Sequence, residues 1–446
     1  MDIVLDVYSG AVHVVDDCLY DILDYLLEPF TPESGCPQFI TDALSEKYPI
    51  DDIKDCYSDI CELYNKGQLF TDDCYEQFAS RKKGSVVKAL CLHIAHDCNL
   101  RCKYCFAGTG EYHGARGMMS AETGKKAIDF VIANSGNRKN IEIDYFGGEP
   151  LMNFEVVKEI TDYARAEGEK HGKNFRFTVT TNGILLDEEK KKYINENMSN
   201  IVLSIDGRKE VNDRMRPHVI GNGTYDEILP KFLDMAKSRH QDNYYVRGTF
   251  TAFNKDFAED VIHLADLGFK QTSVEPVVAP DDAEYALHDE DIPIISEQYE
   301  KLAAEYLKRW KCGEWFNFFH FMIDLDQGPC AVKRLSGCGA GHEYLAVAAD
   351  GDLYPCHQFV GNKDFLMGNV HDGKINESIR DYFEGSNIYT KEKCRSCFAK
   401  FYCSGGCSAN AYNFNGDIDK PYALACEFEK KRVECAIAIE AAKKLG

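Results

Sequence analysis

From Val86 onward the sequence repeats one pattern six times: a short β-prone run, a loop and a segment with helical periodicity. In the segment Asn153–Lys170, for example, Val157 and Ile160 belong to an apolar face with helical spacing. The candidate strands are Ala89–Ile94, Ile141–Phe146, Phe175–Thr180, Ile201–Ile205, Tyr245–Ala252 and Thr272–Val277. Strands that alternate with helices predict a parallel sheet with right-handed crossovers. In barrels built from such units, the chemistry takes place at the carboxyl ends of the strands.

Distinctive motifs follow four of these strands. They are the triplet Cys98-x3-Cys102-x2-Cys105, Gly147-Gly148-Glu149-Pro150, Thr181-Asn182-Gly183 and Ser204-Ile205-Asp206-Gly207. Paired glycines let the backbone approach a ligand closely, and a carboxylate can accept hydrogen bonds from an ammonium group. Four such motifs at four strand ends indicate a ligand site and not packing alone.

The cysteine triplet, with Tyr104 directly before its last cysteine, predicts a metal cluster. Three thiolates at this spacing can hold three irons of a [4Fe–4S] cluster, because soft sulfur ligands select iron–sulfur chemistry. With no fourth ligand nearby, one iron stays open to a substrate or cofactor. The alternatives are a three-cysteine zinc site or chance clustering, although zinc sites usually pair C-x2–4-C with a distant second pair.

A second group of cysteines lies towards the carboxyl terminus. It comprises Cys338, Cys356, Cys394, Cys397, Cys403, Cys407 and Cys426. A zinc ribbon is the alternative to iron–sulfur binding here, but two tetrahedral zinc ions would need eight ligands. The cysteines outside both patterns are predicted to be buried, small apolar residues: Cys18, Cys36, Cys56, Cys61, Cys74, Cys91, Cys312 and Cys435.

Composition excludes several functional classes. A chain of 446 residues predicts two or three domains. The formal net charge of −22 argues against a nucleic-acid partner, because phosphate contacts need clustered Lys and Arg. The sequence has neither a signal-peptide pattern at Met1 nor an apolar run long enough to span a membrane. Nineteen cysteines without a secretion signal predict reduced thiols and metal ligation, and hence an oxygen-poor cytoplasm.

Residues 1–80 are predicted to form a separate small domain. The runs Asp2–Tyr8 and Ala11–Val15 read as strands around a Ser9-Gly10 turn, and Gly67–Thr71 as a small wing or strand. Helical patterns cover Leu19–Leu27, Ile40–Lys47 and Asp51–Lys66. A polar linker, Ser80–Ser85, separates this domain from the barrel, and a helical bridge over Glu297–Phe321 follows the barrel. The predicted divisions are 1–80, 86–295, 296–329 and 330–446.

On these motifs, residues 86 to about 430 resemble the radical S-adenosylmethionine (SAM) superfamily with its SPASM extension. The resemblance implies a partial (β/α)6 barrel, and a cluster on catalytic Cys98, Cys102 and Cys105 whose open iron binds SAM. It also implies cleavage of SAM to methionine and 5′-deoxyadenosine. By the same resemblance, SAM contacts the backbone near Tyr104 (adenine), Gly147, Gly148 and Glu149 (amino group), Ser204 and Arg216 (carboxylate), with Asn182 and Thr180 near the ribose or capping a turn. Arg216 as an ordinary surface charge is the alternative.

The SPASM resemblance implies two further [4Fe–4S] clusters, which makes three in all. The distal one would take Cys394, Cys397, Cys403 and Cys426. The nearer one would take Cys338, Cys356 and Cys407. Cys330 is a candidate for its fourth ligand; without it, that iron stays open to a substrate thiolate.

The N-terminal segment is similar to the winged-helix leader-recognition element of enzymes that modify ribosomally made peptides, with a capping domain as the alternative. The whole chain resembles the maturases of SCIFF peptides (six cysteines in forty-five residues). The resemblance implies capture of the leader by strand addition. It further implies a thioether between a cysteine sulfur and an α-carbon, as in sactipeptides. The implied partners are a cysteine-rich precursor peptide and a low-potential electron donor such as flavodoxin or ferredoxin.

Two other functions stay open. Anaerobic sulfatase maturases, which oxidise Cys or Ser to formylglycine, resemble this chain from the barrel onward, but they carry an aspartate base where His357 stands here. His357 is then a base near its ordinary pKa, a supporting residue or a surface residue. The remaining possibility is a non-catalytic, metal-stabilised peptide-binding protein.

Overall fold

The computed structural model describes residues 1–26, 29–79, 84, 86–325 and 334–446. The strands are β1 (Asp2–Leu5), β2 (Val12–Val15), β3 (Ala89–His96), β4 (Gly117–Met118), β5 (Asn140–Gly147), β6 (Asn174–Thr181), β7 (Asn200–Ser204), β8 (Tyr244–Phe250), β9 (Gln271–Pro276), β10 (Asn317–Phe318), β11 (Tyr344–Val347), β12 (Asp352–Tyr354), β13 (Gly368–Asn369) and β14 (Lys374–Ile375).

The α-helices are α1 (Asp17–Leu23), α2 (Gln38–Leu44), α3 (Ile50–Asn65), α4 (Glu76–Ala79), α5 (Ala121–Asn134), α6 (Phe154–His171), α7 (Glu188–Asn197), α8 (Lys209–Met215), α9 (Tyr225–Ser238), α10 (Phe257–Asp266), α11 (Ile292–Lys311), α12 (Glu377–Gly385), α13 (Glu392–Arg395), α14 (Lys400–Cys403), α15 (Ser408–Asn415) and α16 (Ala423–Leu445). Short 3-10 turns cover Pro150–Asn153, Asp289–Asp291, Phe319–Phe321, His357–Phe359 and Lys363–Phe365.

The centre of the molecule is the predicted parallel sheet. Strands β3, β5, β6, β7, β8 and β9 pair side by side in chain order, each parallel to the next. The prediction of a partial (β/α)6 barrel is confirmed. On β5, Ile143 and Tyr145 are buried against the helices, whereas Glu142 and Asp144 alternate with them and face the inside of the barrel. This alternation leaves a polar lumen inside an apolar shell.

Both ends of the barrel sheet are extended by segments outside the six units. At one end, β11 pairs in parallel with β3, and β12, β13 and β14 continue antiparallel. At the other end, β10 pairs in parallel with β9. The predicted helical bridge over Glu297–Phe321 was wrong in its bounds, because its helix spans Ile292–Lys311. Gly313, with a φ of +76°, follows the helix end, so the chain turns and joins the sheet as β10.

The N-terminal domain consists of the β1–β2 hairpin and helices α1, α2 and α3, which share a core that includes Ile22, Ile40 and Ile53. The predicted wing over residues 67–71 is not formed: this stretch is a turn, with Phe70 at a φ of +55°. The hairpin packs against other parts of the chain on both faces. Its side chains Val4 and Val15 pack on the core of this domain.

The opposite face of the hairpin packs on the C-terminal part of the chain. Ile3, Leu5 and Val12 contact a cluster formed by Ala399 of the auxiliary cysteine segment and by helix α16. That helix is 23 residues long and packs lengthwise on α11. The N-terminal domain is therefore attached to the auxiliary segment and to the last helix. Among the described helices, none combines the length and apolar character needed to cross a membrane.

Candidate active site at the carboxyl rim of the barrel

The cysteine triplet occupies the loop between β3 and β4. Backbone bonds fasten this loop to the residues around Arg216: Arg101 N–H donates to the Pro217 carbonyl and Lys103 N–H to the Met215 carbonyl, each at 2.9 Å. The loop and the Arg216 segment therefore form one unit, although they are more than 100 positions apart in the sequence.

The three cysteines of the triplet are half-buried, and their thiols interact electrostatically with one another. Burial raises the pKa of Cys98 to about 12 and that of Cys102 to about 11, although Arg216 acts in the opposite direction on Cys102. Burial also raises the pKa of Cys105. A soft metal ion must displace the thiol protons on binding. The group thus suits iron–sulfur ligation better than a free nucleophilic thiolate.

Glu149 is 1% exposed and receives three hydrogen bonds from the protein itself. Its carboxylate accepts from Thr181 Oγ1 at 2.8 Å, Asn182 N–H at 2.8 Å and Leu151 N–H at 3.0 Å. Burial raises its pKa to about 7. Glu149 therefore ties the end of β5 to the end of β6, and a contact of its carboxylate with an ammonium group stays a prediction.

Gly147 and Gly148 bring the backbone of this motif against the cysteine loop. Gly147 has a φ of +117°, and a Cβ atom there would collide with the Ala95 carbonyl. A Cβ on Gly148 would collide with the carbonyl of Asp97. Only glycine allows this close approach, so the motif presents backbone and not side chains to the rim.

The other predicted contacts lie at the same rim. Asn182 Nδ2 donates to Asn99 Oδ1 at 2.8 Å and lies 3.6 Å from Cys98 Sγ. Ser204 is the last residue of β7, and Thr180 is half-buried near the end of β6. Because side chains alternate along a strand, Thr180 faces the opposite side from Thr181.

Arg216 is buried, with 8% of the residue exposed, and so is not an ordinary surface charge. Its Nη1 donates to the Tyr104 hydroxyl at 2.9 Å, and that hydroxyl lies 2.8 Å from both carboxylate oxygens of Asp206. Its Nε–H is buried without a hydrogen-bond partner among the described residues. An unpaired guanidinium N–H at this depth is a ready site for a carboxylate.

These features fit a [4Fe–4S] cluster with SAM. The three thiols supply soft ligands, the glycine pair supplies close backbone, and the free N–H of Arg216 supplies an anion contact. Within the described part of the chain, no three His, Cys, Asp or Glu side chains converge on a single metal ion. In a cube, each thiolate binds a different iron, so such convergence is not required.

The auxiliary cysteines form two groups. Four of them line one cavity of about 90 Å³: Cys394, Cys397, Cys403 and Cys426. Cys338, Cys356 and Cys407 interact electrostatically with one another, and burial of Cys356 raises the pKa of its thiol. The two groups match the two predicted ligand sets. Cys330, the candidate fourth ligand of the second set, lies outside the described residues.

The cysteines outside both patterns are only partly as predicted. Cys18, Cys56, Cys91 and Cys435 are buried, and Cys36 and Cys61 are half-buried. Cys74 and Cys312 are exposed, which corrects the prediction for these two. Both lie outside helices and strands: Cys74 is in the loop before α4, and Cys312 caps the end of α11.

His357 lies inside the barrel and not on the surface. Its ring contacts Phe106 and Phe146, with centroids 5.5 and 5.2 Å apart. Burial, with a contribution from Arg247, lowers its pKa to about 4, so the imidazole is neutral. It stands next to Cys356 in the chain, and so connects the lumen to the second auxiliary group.

The lumen also holds a charged network. Arg247 on β8 donates to Glu275 on β9 at 2.9 Å, and Glu275 lies 3.8 Å from His320 Nε2. Arg432 on α16 donates to His320 Nδ1 at 2.9 Å. Glu275 and Arg432 also line a cavity of about 300 Å³ that reaches Cys407. The lumen therefore offers polar groups between the rim and the auxiliary cysteines.

Two functional residues were missed from the sequence. Thr181 fixes Glu149, and Asp206 fixes Tyr104. Both stand in motifs that the sequence marks at strand ends. Their roles depend on which neighbouring strand each side chain meets, and the sequence spacing alone does not give this.

Two family models match the chain. Residues 92–268 match the radical SAM superfamily. Residues 338–398 match the iron–sulfur cluster-binding domain SPASM. The first range contains the triplet, the glycine motif and Arg216, and the second contains four of the auxiliary cysteines.

Similar curated proteins extend over most of the chain. The radical SAM cyclopropyl synthase TigE of Paramaledivibacter caminithermalis is 23% identical, over 94% of this chain and 89% of its own length. A cysteine-type anaerobic sulfatase-maturating enzyme of Clostridium novyi is 23% identical, over 76% and 92%. An uncharacterized protein of Methanocaldococcus jannaschii is 33% identical, over 64% and 90%.

Solved structures share the fold. The structure of anSMEcpe with bound AdoMet superposes with a TM-score of 0.65 at 20% identity, over 80% of this chain and 99% of that one. Streptococcus suis SuiB bound to S-adenosylmethionine gives a TM-score of 0.52 at 14% identity, over 95% and 98%. Together with the family matches and the geometry of the rim, this places the chain in the radical SAM superfamily, as an enzyme with a C-terminal SPASM iron–sulfur domain.

Proposed function

We propose that this enzyme forms thioether crosslinks, from a cysteine sulfur to an α-carbon, in a ribosomally made cysteine-rich precursor peptide, as SCIFF maturases do. One observation carries the proposal: the hairpin domain is packed directly on the auxiliary cysteine segment, through Ile3, Leu5 and Val12. A peptide held by the hairpin thus starts beside the auxiliary site.

The extent of similarity supports a peptide-modifying role. TigE and SuiB align with 94% and 95% of this chain, whereas the structure of anSMEcpe covers 80%. The fifth of this chain that the anSMEcpe structure does not cover has the size of the hairpin domain. Because β1 and β2 pair only with each other among the described strands, both outer edges are open to a leader strand.

In the proposed SAM site, Cys98, Cys102 and Cys105 hold the SAM cluster, and Arg216 holds the carboxylate. Gly147 and Gly148 supply backbone for the amino group, positioned by Glu149. Tyr104, Thr180, Asn182 and Ser204 complete the site. When bound, the SAM cluster and SAM supply a radical that removes the α-hydrogen, and two auxiliary clusters, three clusters in all, supply an acceptor for the surplus electron.

The lumen residues serve the substrate in this proposal. Neutral His357, next to Cys356 in the chain, can accept a hydrogen bond from the substrate thiol and so orient it. The rings of Phe106 and Phe146 pack against His357 and hold its orientation. A flavodoxin or ferredoxin would supply the electrons.

Oxidation of Cys or Ser to formylglycine is the second candidate, favoured by the match to the Clostridium novyi enzyme over 92% of its length. The two reactions differ in product. Formation of a thioether removes two hydrogen atoms from the peptide and consumes a cysteine thiol, whereas formation of formylglycine creates an aldehyde.

The test is anaerobic incubation with each short cysteine-rich peptide encoded beside the gene, followed by mass spectrometry. The proposal predicts loss of two hydrogen atoms per crosslink, a cysteine that no longer reacts with iodoacetamide, and no aldehyde. A sulfatase gene at that position, together with an aldehyde product from a sulfatase-derived peptide, would overturn it.

A further inference from the structure

We propose that Asp206 is a positioning residue for SAM, which holds the Tyr104 phenol and, through it, the Arg216 guanidinium. The proposal rests on the assignment of Arg216 to the SAM carboxylate in the proposed function. Asp206 lies two residues after the end of β7, is 0% exposed, and stands between the cysteine loop and helix α8.

The hydrogen bonds of this group have a fixed direction. A guanidinium only donates, so Arg216 Nη1 donates to the Tyr104 oxygen at 2.9 Å. The phenol has one proton, which it donates to the Asp206 carboxylate at 2.8 Å. Thr249 N–H from β8 also donates to Asp206 Oδ1, at 3.1 Å. Asp206 is thus the final acceptor in a series of hydrogen bonds that begins at Arg216.

These hydrogen bonds hold the Nη1 group of the guanidinium and leave its Nε–H free. Nη1 is bound to Tyr104, and Nη1 stands 3.9 Å from Asp206 Oδ1. Nε–H is buried with no partner among the described residues. A side chain with many rotamers is therefore held in one orientation, with an unpaired donor ready for a carboxylate. Such preorganisation lowers the cost of binding.

Tyr104 also links this group to the cluster loop, because it lies between Cys102 and Cys105. The backbone bond from Lys103 to the Met215 carbonyl joins the same two segments. Since the backbone alone already fastens the loop, loss of Asp206 should affect SAM binding and leave the cysteine loop in place.

Asp206 could act through its charge or by holding its neighbours in position, and the two roles predict opposite changes in SAM affinity when Asp206 is removed. If Asp206 acted only through its charge, its loss would make the surroundings of Arg216 more positive and would tighten binding of an anion. If it acts by holding Tyr104 and Arg216, its loss frees the guanidinium and weakens binding. The sign of the change in SAM affinity separates the two roles.

The experiment compares Asp206→Ala, Tyr104→Phe and the double variant after anaerobic cluster reconstitution of the full chain. The probe is radiolabelled SAM in equilibrium binding, and the EPR spectrum of the reduced protein without SAM reports on the cluster. The matched control is Asp291→Asn. Asp291 is nearly as buried, with 2% exposed, but it pairs with Lys255 at 2.5 Å and not with this group.

We expect each single variant to raise the Kd for SAM by about tenfold, the typical worth of one hydrogen bond to a charged group. The double variant should lose little more than either single variant, because both break one chain of bonds. The EPR spectrum without SAM and the control should match the wild type. Tyr104→Phe leaves Asp206 in place, and so carries the test if Asp206→Ala does not assemble.

Unchanged or tighter SAM binding in Tyr104→Phe or Asp206→Ala, with an intact cluster, would overturn the inference, as would fully additive losses. Failure of the reconstituted wild-type protein to bind SAM is a different outcome: it contradicts the cofactor assignment itself, and the inference with it.

Discussion

Glu149 is held on three sides by N–H and O–H donors from Leu151, Thr181 and Asn182. Its carboxylate holds the ends of β5 and β6 together, while the backbone of Gly147 and Gly148 lies against the cysteine loop. A single buried side chain thereby aligns the ends of two strands. This role explains why the motif pairs glycines with a carboxylate.

The substitution Glu149→Gln should therefore destabilise the fold. A glutamine offers one acceptor oxygen, and its amide group then meets an N–H or O–H donor of the protein. We expect a loss of about 1–3 kcal/mol in the free energy of unfolding, the cost of a buried unpaired polar group. Anaerobic urea unfolding of the apoprotein measures it. The exposed Glu155→Gln is the control, and equal stability of both variants would contradict this role.

His320 makes stability depend on pH. Its Nδ1 accepts from Arg432, so the neutral ring carries its proton on Nε2, facing Ser273 Oγ at 3.2 Å. Burial, aided by Arg432, lowers its pKa to about 3, against 6.5 for an unperturbed histidine. Between these values the unfolded chain binds a proton that the folded chain does not, so stability falls as pH falls.

We expect this effect to reach about 1.4 kcal/mol per pH unit below about pH 6.5. His320→Gln should remove it, and the difference between variant and wild-type unfolding free energies should shrink as the pH is lowered towards 4. His171→Gln, which alters an exposed histidine, should keep the wild-type slope. Parallel stability curves for the wild type and His320→Gln would contradict the assignment.

Among secondary-structure elements, the β1–β2 hairpin packs between two parts of the molecule. Its alternating apolar residues serve two partners, because Val4 and Val15 face the hairpin domain and Ile3, Leu5 and Val12 face the auxiliary segment. This two-stranded sheet therefore contributes side chains to two hydrophobic clusters, one in the hairpin domain and one at the auxiliary segment.

Leu5→Lys should loosen the hairpin from the auxiliary segment and leave the core of the hairpin domain intact. Placing a charge in an apolar contact should cost about 2–4 kcal/mol of docking free energy. Hydrogen–deuterium exchange should rise in β1, β2 and α16 but not in α3. Val14→Lys is the matched control, since Val14 is 40% exposed. Unaltered exchange in Leu5→Lys would rule out this packing.

Helices and strands could be predicted from the sequence where the element packs on a single core, because its apolar residues then follow one period. The barrel strands read as buried runs, and the structure has all six in chain order. Helix α16 was not predicted, because Val433 and Ile437 face the hairpin while Phe428 and Ile439 face the barrel core. Two apolar faces hide the helical period. Likewise, the cysteine sets follow from spacing, whereas the role of Asp206 needs the three-dimensional meeting of β7 with the cysteine loop.

At the scale of the whole molecule, we expect SAM cleavage and peptide modification to depend on different cysteines. The two auxiliary groups are separate sets of cysteines in the C-terminal segment, although Cys356 and Cys105 pack in one cluster and His357 contacts Phe106. Cys356→Ala should abolish the crosslink and keep 5′-deoxyadenosine formation, and iron should drop below the about twelve per chain of three [4Fe–4S] clusters. Cys435→Ala, a buried cysteine outside both groups, should retain both activities. Loss of SAM cleavage in Cys356→Ala with an intact triplet cluster would contradict this separation.

The most direct test of the central assignment is the release of 5′-deoxyadenosine from SAM by the anaerobically reconstituted protein under strong reductant. The account predicts its formation by the wild type and its loss in Cys98→Ala, Cys102→Ala and Cys105→Ala alike, because each thiol is a separate cluster ligand. An iron-loaded wild type that leaves SAM intact, or a Cys102→Ala variant that cleaves it undiminished, would contradict the account.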